Sequence, residues 1–160
     1  MTITIRFAHH DDYNDVSNLV RQIHQLHVTA RPDIYSPDPN PMDSDYFLKL
    51  LEEDRFQVIV VEDKEVGKII AYSVIRMDAS PHRPIFTSRK YIFIDDFCVD
   101  ENERGQGIGK ELFNFIISYG KEISATCIEL SVSEFNKEAI AFYENLGMQT
   151  RSRKLELNIE

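Results

Sequence analysis

Apolar and polar positions change period several times along the chain, and each change marks an element. Thr2 to Phe7 alternates β-branched and polar side chains, the period of a half-buried strand. His9 to Asp12 supplies helix-start chemistry. Val16, Leu19, Val20, Ile23 and Leu26 then recur at helical spacing, predicting a helix to about Thr29 that Arg31-Pro32 closes. Pro37, Pro39 and Pro41 break the next stretch into a loop. A second helix is predicted over Ser44 to Glu53, with Tyr46, Phe47, Leu50 and Leu51 on one face. Phe56 to Val61 and Lys68 to Arg76 are strands about a charged turn, and Ala79 to Arg89 is a loop. Tyr91 to Val99 is a central strand whose period of two puts Tyr91, Phe93, Asp95, Phe97 and Val99 on one face. Ile108, Leu112, Phe115, Ile116 and Tyr119 mark a third helix, with Gly120 as its stop. Cys127 to Val132 is a strand, Ala139 to Leu146 a helix stopped by Gly147, and Thr150 to Ile159 alternates again as a last strand.

Hairpins in the middle imply antiparallel pairing, and the late strand-helix-strand order implies some parallel pairing. The expected fold class is α/β (α+β), a mixed sheet covered by helices, in one domain over residues 1–160. A chain of 160 residues buries roughly 70% of its unfolded surface and needs no staples. Cys98 and Cys127, the only cysteines, sit in apolar runs. This argues against a disulfide framework and for a reducing, cytoplasmic setting. The first residues do not read as a signal peptide, and no apolar run approaches the roughly 20 residues of a membrane span. A net charge of -9 disfavours nucleic acid or an anionic membrane as partner and suits a cationic one.

The chemistry concentrates in Phe97 to Lys110: a strand, an acidic turn, the loop Arg104-Gly105-Gln106-Gly107-Ile108-Gly109, and a helix start. A helix's first turn carries free N–H groups and the positive end of its dipole, so this is an anion site, for phosphate or pyrophosphate. The glycines lack the G-x-G-x-x-G spacing of a dinucleotide fingerprint. Gly109-Lys110 is followed by Glu111, with Arg104 where a P-loop needs its first Gly, so that pattern fails too.

Arg104, Gly107 and Gly109 resemble the R/Q-x-x-G-x-G/A signature of the GNAT superfamily of N-acetyltransferases. Asn136, Ala139, Phe142, Tyr143, Leu146 and Gly147 resemble that family's N-x-x-A-x-x-F-Y-x-x-L-G segment. The two motifs span Tyr91 to Met148. The resemblance implies a mostly antiparallel sheet flanked by about four helices. It also implies direct transfer of an acetyl group from acetyl-CoA, as cosubstrate and without a metal, to a primary amine of a small molecule or peptide. By the same resemblance, the backbone of Phe97, Cys98 and Val99 pairs with the pantetheine arm, and one of its N–H groups holds the oxyanion. Arg104, Gly105, Gln106, Gly107, Ile108, Gly109 and Lys110 hold the pyrophosphate, Asn136 contacts pantetheine, and Tyr143 protonates the leaving thiolate. Some relatives carry a catalytic Glu at the place of Asp95, which makes Asp95 the first candidate for general base and Asp96 the second.

Asn136 and Tyr143 are seven residues apart, two helical turns, so both project from one face whatever the family. Ser131 stands where relatives acting on ribosomal protein N-termini often carry Glu, which argues against that substrate. His24 and His27, three apart on a helix, lack a third ligand, so no metal site is expected. Cys98 has no histidine beside it in sequence. Arg151, Arg153 and Lys154 read as an exposed strand face. The alternative to an enzyme is a non-catalytic acyl-CoA-binding sensor or interaction module on the same fold. The sequence leaves homodimer formation open.

Overall fold

The computed structural model describes residues 1–160. Its elements are β1 (Ile3–Phe7), α1 (Tyr13–Ala30), α2 (Ser44–Glu52), β2 (Phe56–Asp63), β3 (Lys68–Ala79), β4 (Lys90–Val99), α3 (Ile108–Glu122), β5 (Cys127–Leu130) and α4 (Lys137–Asn145). Short single-turn helices at His10–Asp12 and Glu101–Glu103 precede α1 and the glycine loop. The strands form one sheet in the order β1-β2-β3-β4-β5, antiparallel except for the parallel β4–β5 pair. This is the mixed, mostly antiparallel sheet with four helices that the periodicity and the resemblance imply.

Alternation along the strands sorts the core into two layers. On one face Val58, Val60, Tyr72, Val74 and Cys98 pack against Val16, Leu19 and Val20 of α1 and Phe47 and Leu50 of α2. On the other, Ile59, Val61, Ile70, Ile75, Ile92 and Ile94 pack against Ile108, Leu112, Phe113 and Ile116 of α3. Each fully buried aliphatic or aromatic side chain contributes about 1.5–3 kcal/mol. Arg6 fixes the entry to α1 by donating to both carboxylate oxygens of Asp12, at 2.8 and 3.0 Å, and to Glu62 at 3.1 Å. Asp43 caps α2 by accepting from the Tyr46 N–H at 2.7 Å.

Two irregularities break the alternation. The β2–β3 register shifts between Val61 and Glu62, so that Ile70 and Ala71 both serve the α3 layer. The β3–β4 register shifts between Val74 and Ile75: Val74 pairs with Asp96 and Ile75 with Ile94, leaving Asp95 as the extra residue. This second bulge corrects the single face expected for β4. Ile92 and Ile94 share the α3 layer with Phe97 and Val99. Tyr91 and Phe93 turn away, under the guanidinium groups of Arg89 and Arg76 at 4.8 and 4.1 Å.

Two element ends also differ from expectation. Gly120 does not stop α3, which runs on to Glu122 and ends where Ser124 takes φ 61°. The glycine instead marks close helix–sheet packing, since a Cβ there would lie 3.2 Å from Ile92 Cδ1. Thr150 to Ile159 forms no strand. From Gln149 to Glu160 no backbone group pairs with another.

Candidate active site

The parallel β4–β5 pairing lasts only from Tyr91–Cys127 to Ile94–Leu130. Beyond it the two strands part, and β4 from Asp95 to Val99 has a neighbour on the β3 side alone. Which backbone groups face the opening follows from the ladder. Asp100 N–H donates to Ile70 O at 2.8 Å, so the residues two before it along β4 also point to β3. Cys98 therefore bonds within the sheet, and Phe97 and Val99 turn their N–H and C=O groups to the free edge. The expected three-residue backbone contact thus divides into two outward residues and one inward one. Arg104 Nε already donates to Val99 O at 3.2 Å, folding the Arg104 side chain back over the end of β4.

The glycine loop lies beyond that edge. Asp100 anchors its approach by accepting from Asn102 N–H at 3.0 Å and from Lys68 Nζ at 3.2 Å. Burial alone raises a carboxyl pKa, but these donors outweigh it and hold Asp100 below its ordinary value. No backbone N–H from Arg104 to Lys110 donates to an acceptor in the chain; the first helical donor is Glu111, to Gly107 O at 3.1 Å. Gly105 and Gly107 take φ +80° and +83°, the left-handed region that glycine enters without cost, and no heavy atom lies within 4 Å of where a side chain would start. The loop is thus a curl of unsatisfied donors with open space over it, at the positive end of α3. Gly109 has another role. A Cβ there would meet Phe142 Cζ at 3.0 Å and Cε1 at 3.1 Å, so this glycine lets α3 approach α4. Gln106 Nε2 donates to Glu103 at 3.0 Å, and Lys110 is exposed.

The far wall is α4. Asn136 is its N-cap, Oδ1 accepting from Ala139 N–H at 3.2 Å, which leaves the side-chain NH₂ as its free donor. Phe142 and Tyr143 pack on Phe97, with ring centroids 5.6 and 6.0 Å away. Burial, then the proximity of Cys98 and Asp96, pushes the Tyr143 phenol up to about 12. Its hydroxyl therefore stays protonated well beyond neutral pH.

The bulge separates the two candidate bases. Asp95 is exposed and paired with Arg76. Asp96 turns toward the α1 side, where it accepts from Tyr72 O–H at 3.3 Å, while Ser73 Oγ donates to its backbone O at 2.8 Å. Burial drives the Asp96 carboxyl above its ordinary value; the Tyr72 hydrogen bond lowers it, the Asp95 charge raises it, and nearby His27 lowers it. The half-buried placement expected for Asp95 belongs to Asp96, because the extra residue reverses the alternation. Tyr46 also lies close enough to the two carboxylates for its phenol pKa to be raised, chiefly by burial and then by Asp96 and Asp95.

Sequence reasoning missed Tyr72 and Tyr46 as neighbours of Asp96, since Tyr46 reads only as an apolar-face position of the second helix and Tyr72 belongs to no motif. It treated His27 as a helix-face residue. His27 Nδ1 donates to Ile23 O at 2.8 Å, and the ring stands edge-on to Tyr35 and Phe135 at 5.0 and 5.4 Å. His24 Nε2 donates to Ser36 O at 2.8 Å. Cys98 is buried, its thiol pushed up to about 12 by desolvation, so it is no nucleophile at neutral pH.

A sequence model of the acetyltransferase (GNAT) family matches residues 20–148. The chain belongs to the GNAT acetyltransferase family. Within it, the chain is 35% identical over 66% of its length to an uncharacterized N-acetyltransferase, MJ1207, of Methanocaldococcus jannaschii, covering 45% of that protein. It is 28% identical over 73% of its length to the L-ornithine N5-acetyltransferase NATA1 of Arabidopsis thaliana, covering 50% of that one. The chain thus spans about half the length of these curated relatives. The crystal structure of a tetramutant of the BH1408 protein from Bacillus halodurans is 39% identical and superposes with a TM-score of 0.94, over 98% of this chain and 99% of that one. The names of two Arabidopsis thaliana relatives give chemically different amines, L-ornithine and glucosamine 6-phosphate. In this GNAT chain the loop and α4 motifs converge on the gap between β4 and β5. No helix of the chain is long and apolar enough to cross a membrane.

Proposed function

We propose that this chain transfers the acetyl group of acetyl-CoA directly to a primary amine of a small molecule or peptide. One observation carries the reading: the outward N–H groups of Phe97 and Val99, the unsatisfied donors of Arg104 to Lys110, and the Tyr143 phenol border one gap. Bound acetyl-CoA supplies an activated thioester carbonyl and a thiolate leaving group. The donors of Gly105 to Lys110 suit its pyrophosphate, and the Asn136 NH₂ suits an amide of its pantetheine arm.

The chain's residues then divide the work. The Phe97 or Val99 N–H polarises the thioester carbonyl and holds the charge that grows on its oxygen; such a donor contributes about 3–4 kcal/mol in comparable sites. An alkylamine has a pKa near 10.4, so presenting it neutral at pH 7 costs roughly 4–5 kcal/mol. Asp96 takes that proton, its raised pKa making it a better base than an exposed carboxylate. The amine nitrogen bonds to the acetyl carbon as the carbon–sulfur bond breaks. Tyr143 donates its O–H to the departing sulfur and is reprotonated by the second proton that the attacking nitrogen gives up through solvent, and the Asp96 proton returns to solvent as the one net proton released. Asp96, together with Tyr46 and His27, forms an acidic and aromatic lining suited to a cationic acceptor, with the buried Tyr72 hydroxyl supporting Asp96 from beneath.

Calorimetric titration with acetyl-CoA, with CoA as control, followed by thiol release across a panel of amines, tests the proposal. One micromolar site per chain and amine-dependent thiol release support it. Binding without release for any amine points to the sensor module, and no binding by folded protein removes the reading.

A further inference from the structure

An alkylammonium acceptor loses two protons on becoming an amide, one before it attacks and one after, and Asp96 accounts for the first alone. A second proton acceptor stands on the same side of the gap. Val16, Val20, Ile23 and His27 follow one another at spacings of four, three and four, so His27 continues the stripe of α1 that packs on the sheet. Val16 and Val20 are buried, and His27, at the end of the stripe, is half-buried. Cys98 points to α1, its Sγ 3.6 Å from Leu19 O, and Asp96, two residues earlier on β4, turns the same way. Phe135, in the segment that joins β5 to α4, stands edge-on to the His27 ring at 5.4 Å. The imidazole therefore lies on the α1 side of the β4–β5 opening, the side to which Asp96 turns.

The hydrogen bonds of His27 fix its tautomer. Nδ1 meets the Ile23 carbonyl oxygen at 2.8 Å and must carry the hydrogen, because a carbonyl only accepts. Nε2 of the neutral ring is then a bare lone pair, and it has no partner in the chain. Every buried side-chain nitrogen or oxygen is hydrogen-bonded, so this unpartnered atom reaches open space. Imidazole is the side chain suited to taking up and releasing a proton near neutral pH. The ring is also near enough for its charge to act on the Asp96 carboxyl. We infer that His27 Nε2 takes the second proton of the acceptor nitrogen, an assignment that rests on the acetyl-transfer reading. Asp96 takes the first proton from the ammonium. The freed lone pair bonds to the acetyl carbon and leaves the nitrogen positive. Nε2 removes a proton from that nitrogen as the carbon–sulfur electron pair departs with the sulfur, which Tyr143 protonates. The imidazolium gives its proton to water, through which it reaches the Tyr143 phenolate. His27 and Tyr143 end as they began, and the Asp96 proton is the one released.

Thiol release from acetyl-CoA at pH 7, with propylamine and with trifluoroethylamine as acceptors, tests this on the full chain. Propylamine is an ammonium at that pH and must lose both protons; the electron-poor trifluoroethylamine is largely neutral and loses only the second. His27→Ala should lower kcat for both amines by about 10²-fold while acetyl-CoA affinity stays within about twofold. Asp96→Asn should slow propylamine more than trifluoroethylamine. Added imidazole should restore turnover to His27→Ala in a saturable way and do nothing for Asp96→Asn. His27→Asn keeps a donor for Ile23 O but lacks the base, so it should show the same loss with an unchanged circular dichroism spectrum. Undiminished turnover in either His27 variant overturns the inference. So does a loss confined to propylamine, or one that imidazole leaves unrepaired. A wild type that binds acetyl-CoA yet releases thiol with no amine removes the acetyl-transfer reading itself, whereas full activity in the His27 variants removes this inference alone.

Discussion

Gly109→Ala separates two roles that a glycine in this loop could play. The backbone at Gly109 is helical, so alanine meets no torsional barrier and its higher helix propensity contributes up to about 1 kcal/mol. The new Cβ would lie 3.0 and 3.1 Å from the edge of the Phe142 ring and 3.6 Å from Val99 Cγ2. Phe142 is wedged against Phe97 and Tyr143, at 5.6 and 5.3 Å between centroids, so it cannot swing freely aside. Overpacking of this kind costs about 1–3 kcal/mol. The net is a loss of about 1 kcal/mol, or a melting temperature lower by about 2–4 °C for a domain of this size. Because α4 must yield, Tyr143 moves with it, and turnover should fall more than stability. Gly107→Ala is the contrast: its side chain meets open space, but φ +83° penalises alanine by about 1–2 kcal/mol and rotates the loop's N–H groups. That variant should weaken acetyl-CoA affinity, read by calorimetry. A Gly109→Ala protein that melts at or above the wild-type temperature with full turnover would refute the packing argument.

Three further outcomes follow from the site and its supports. Tyr143→Phe should lower kcat by about 10²-fold or more while acetyl-CoA affinity stays within about twofold; an unchanged rate dismisses the acid role. Asp96→Asn should lower turnover by a similar factor, and Asp95→Asn should change it little; the reverse pattern would return the base to Asp95. The Asp96 carboxyl is raised by burial, so the wild type loses stability as pH rises through that folded value. The Asn variant avoids this loss, and the melting-temperature gap in its favour should widen as pH rises from about 4, the ordinary carboxyl value, through the raised folded value. Arg6→Ala should cost about 1–3 kcal/mol at pH 7, by leaving Asp12 without its bidentate donor. Burial tends to raise the Asp12 pKa, but Arg6 and the His9 N–H hold it below its ordinary value. The stability it confers is therefore present above about pH 4 and fades as pH falls through the lower folded value. Melting curves of the two proteins should converge as pH falls below about 4.

Periodicity and turn chemistry determined most of this protein before any tertiary contact formed. Apolar spacing located four helices and five strands, and the two motifs named the loop and helix that border the gap. Helical geometry led to the expectation that Asn136 and Tyr143 share one face; Asn136 is the N-cap of α4 and Tyr143 lies within it. These are local properties, written in the order of residues along a few turns or one strand.

Three features were decided only by the assembled sheet. The bulge at Asp95 depends on how β3 pairs with β4, and a period-two reading of β4 by itself has no reason to insert an extra residue. That single insertion exchanged the environments of Asp95 and Asp96. The distinct duties of the glycines depend on what stands across from them: open space at Gly105 and Gly107, an aromatic ring at Gly109, a strand at Gly120. The fate of Thr150 to Ile159 depends on a neighbour. Its alternation carries a strand's pattern as clearly as β1 does, but a strand exists only when a second backbone accepts its hydrogen bonds, and within one copy of this fold none does.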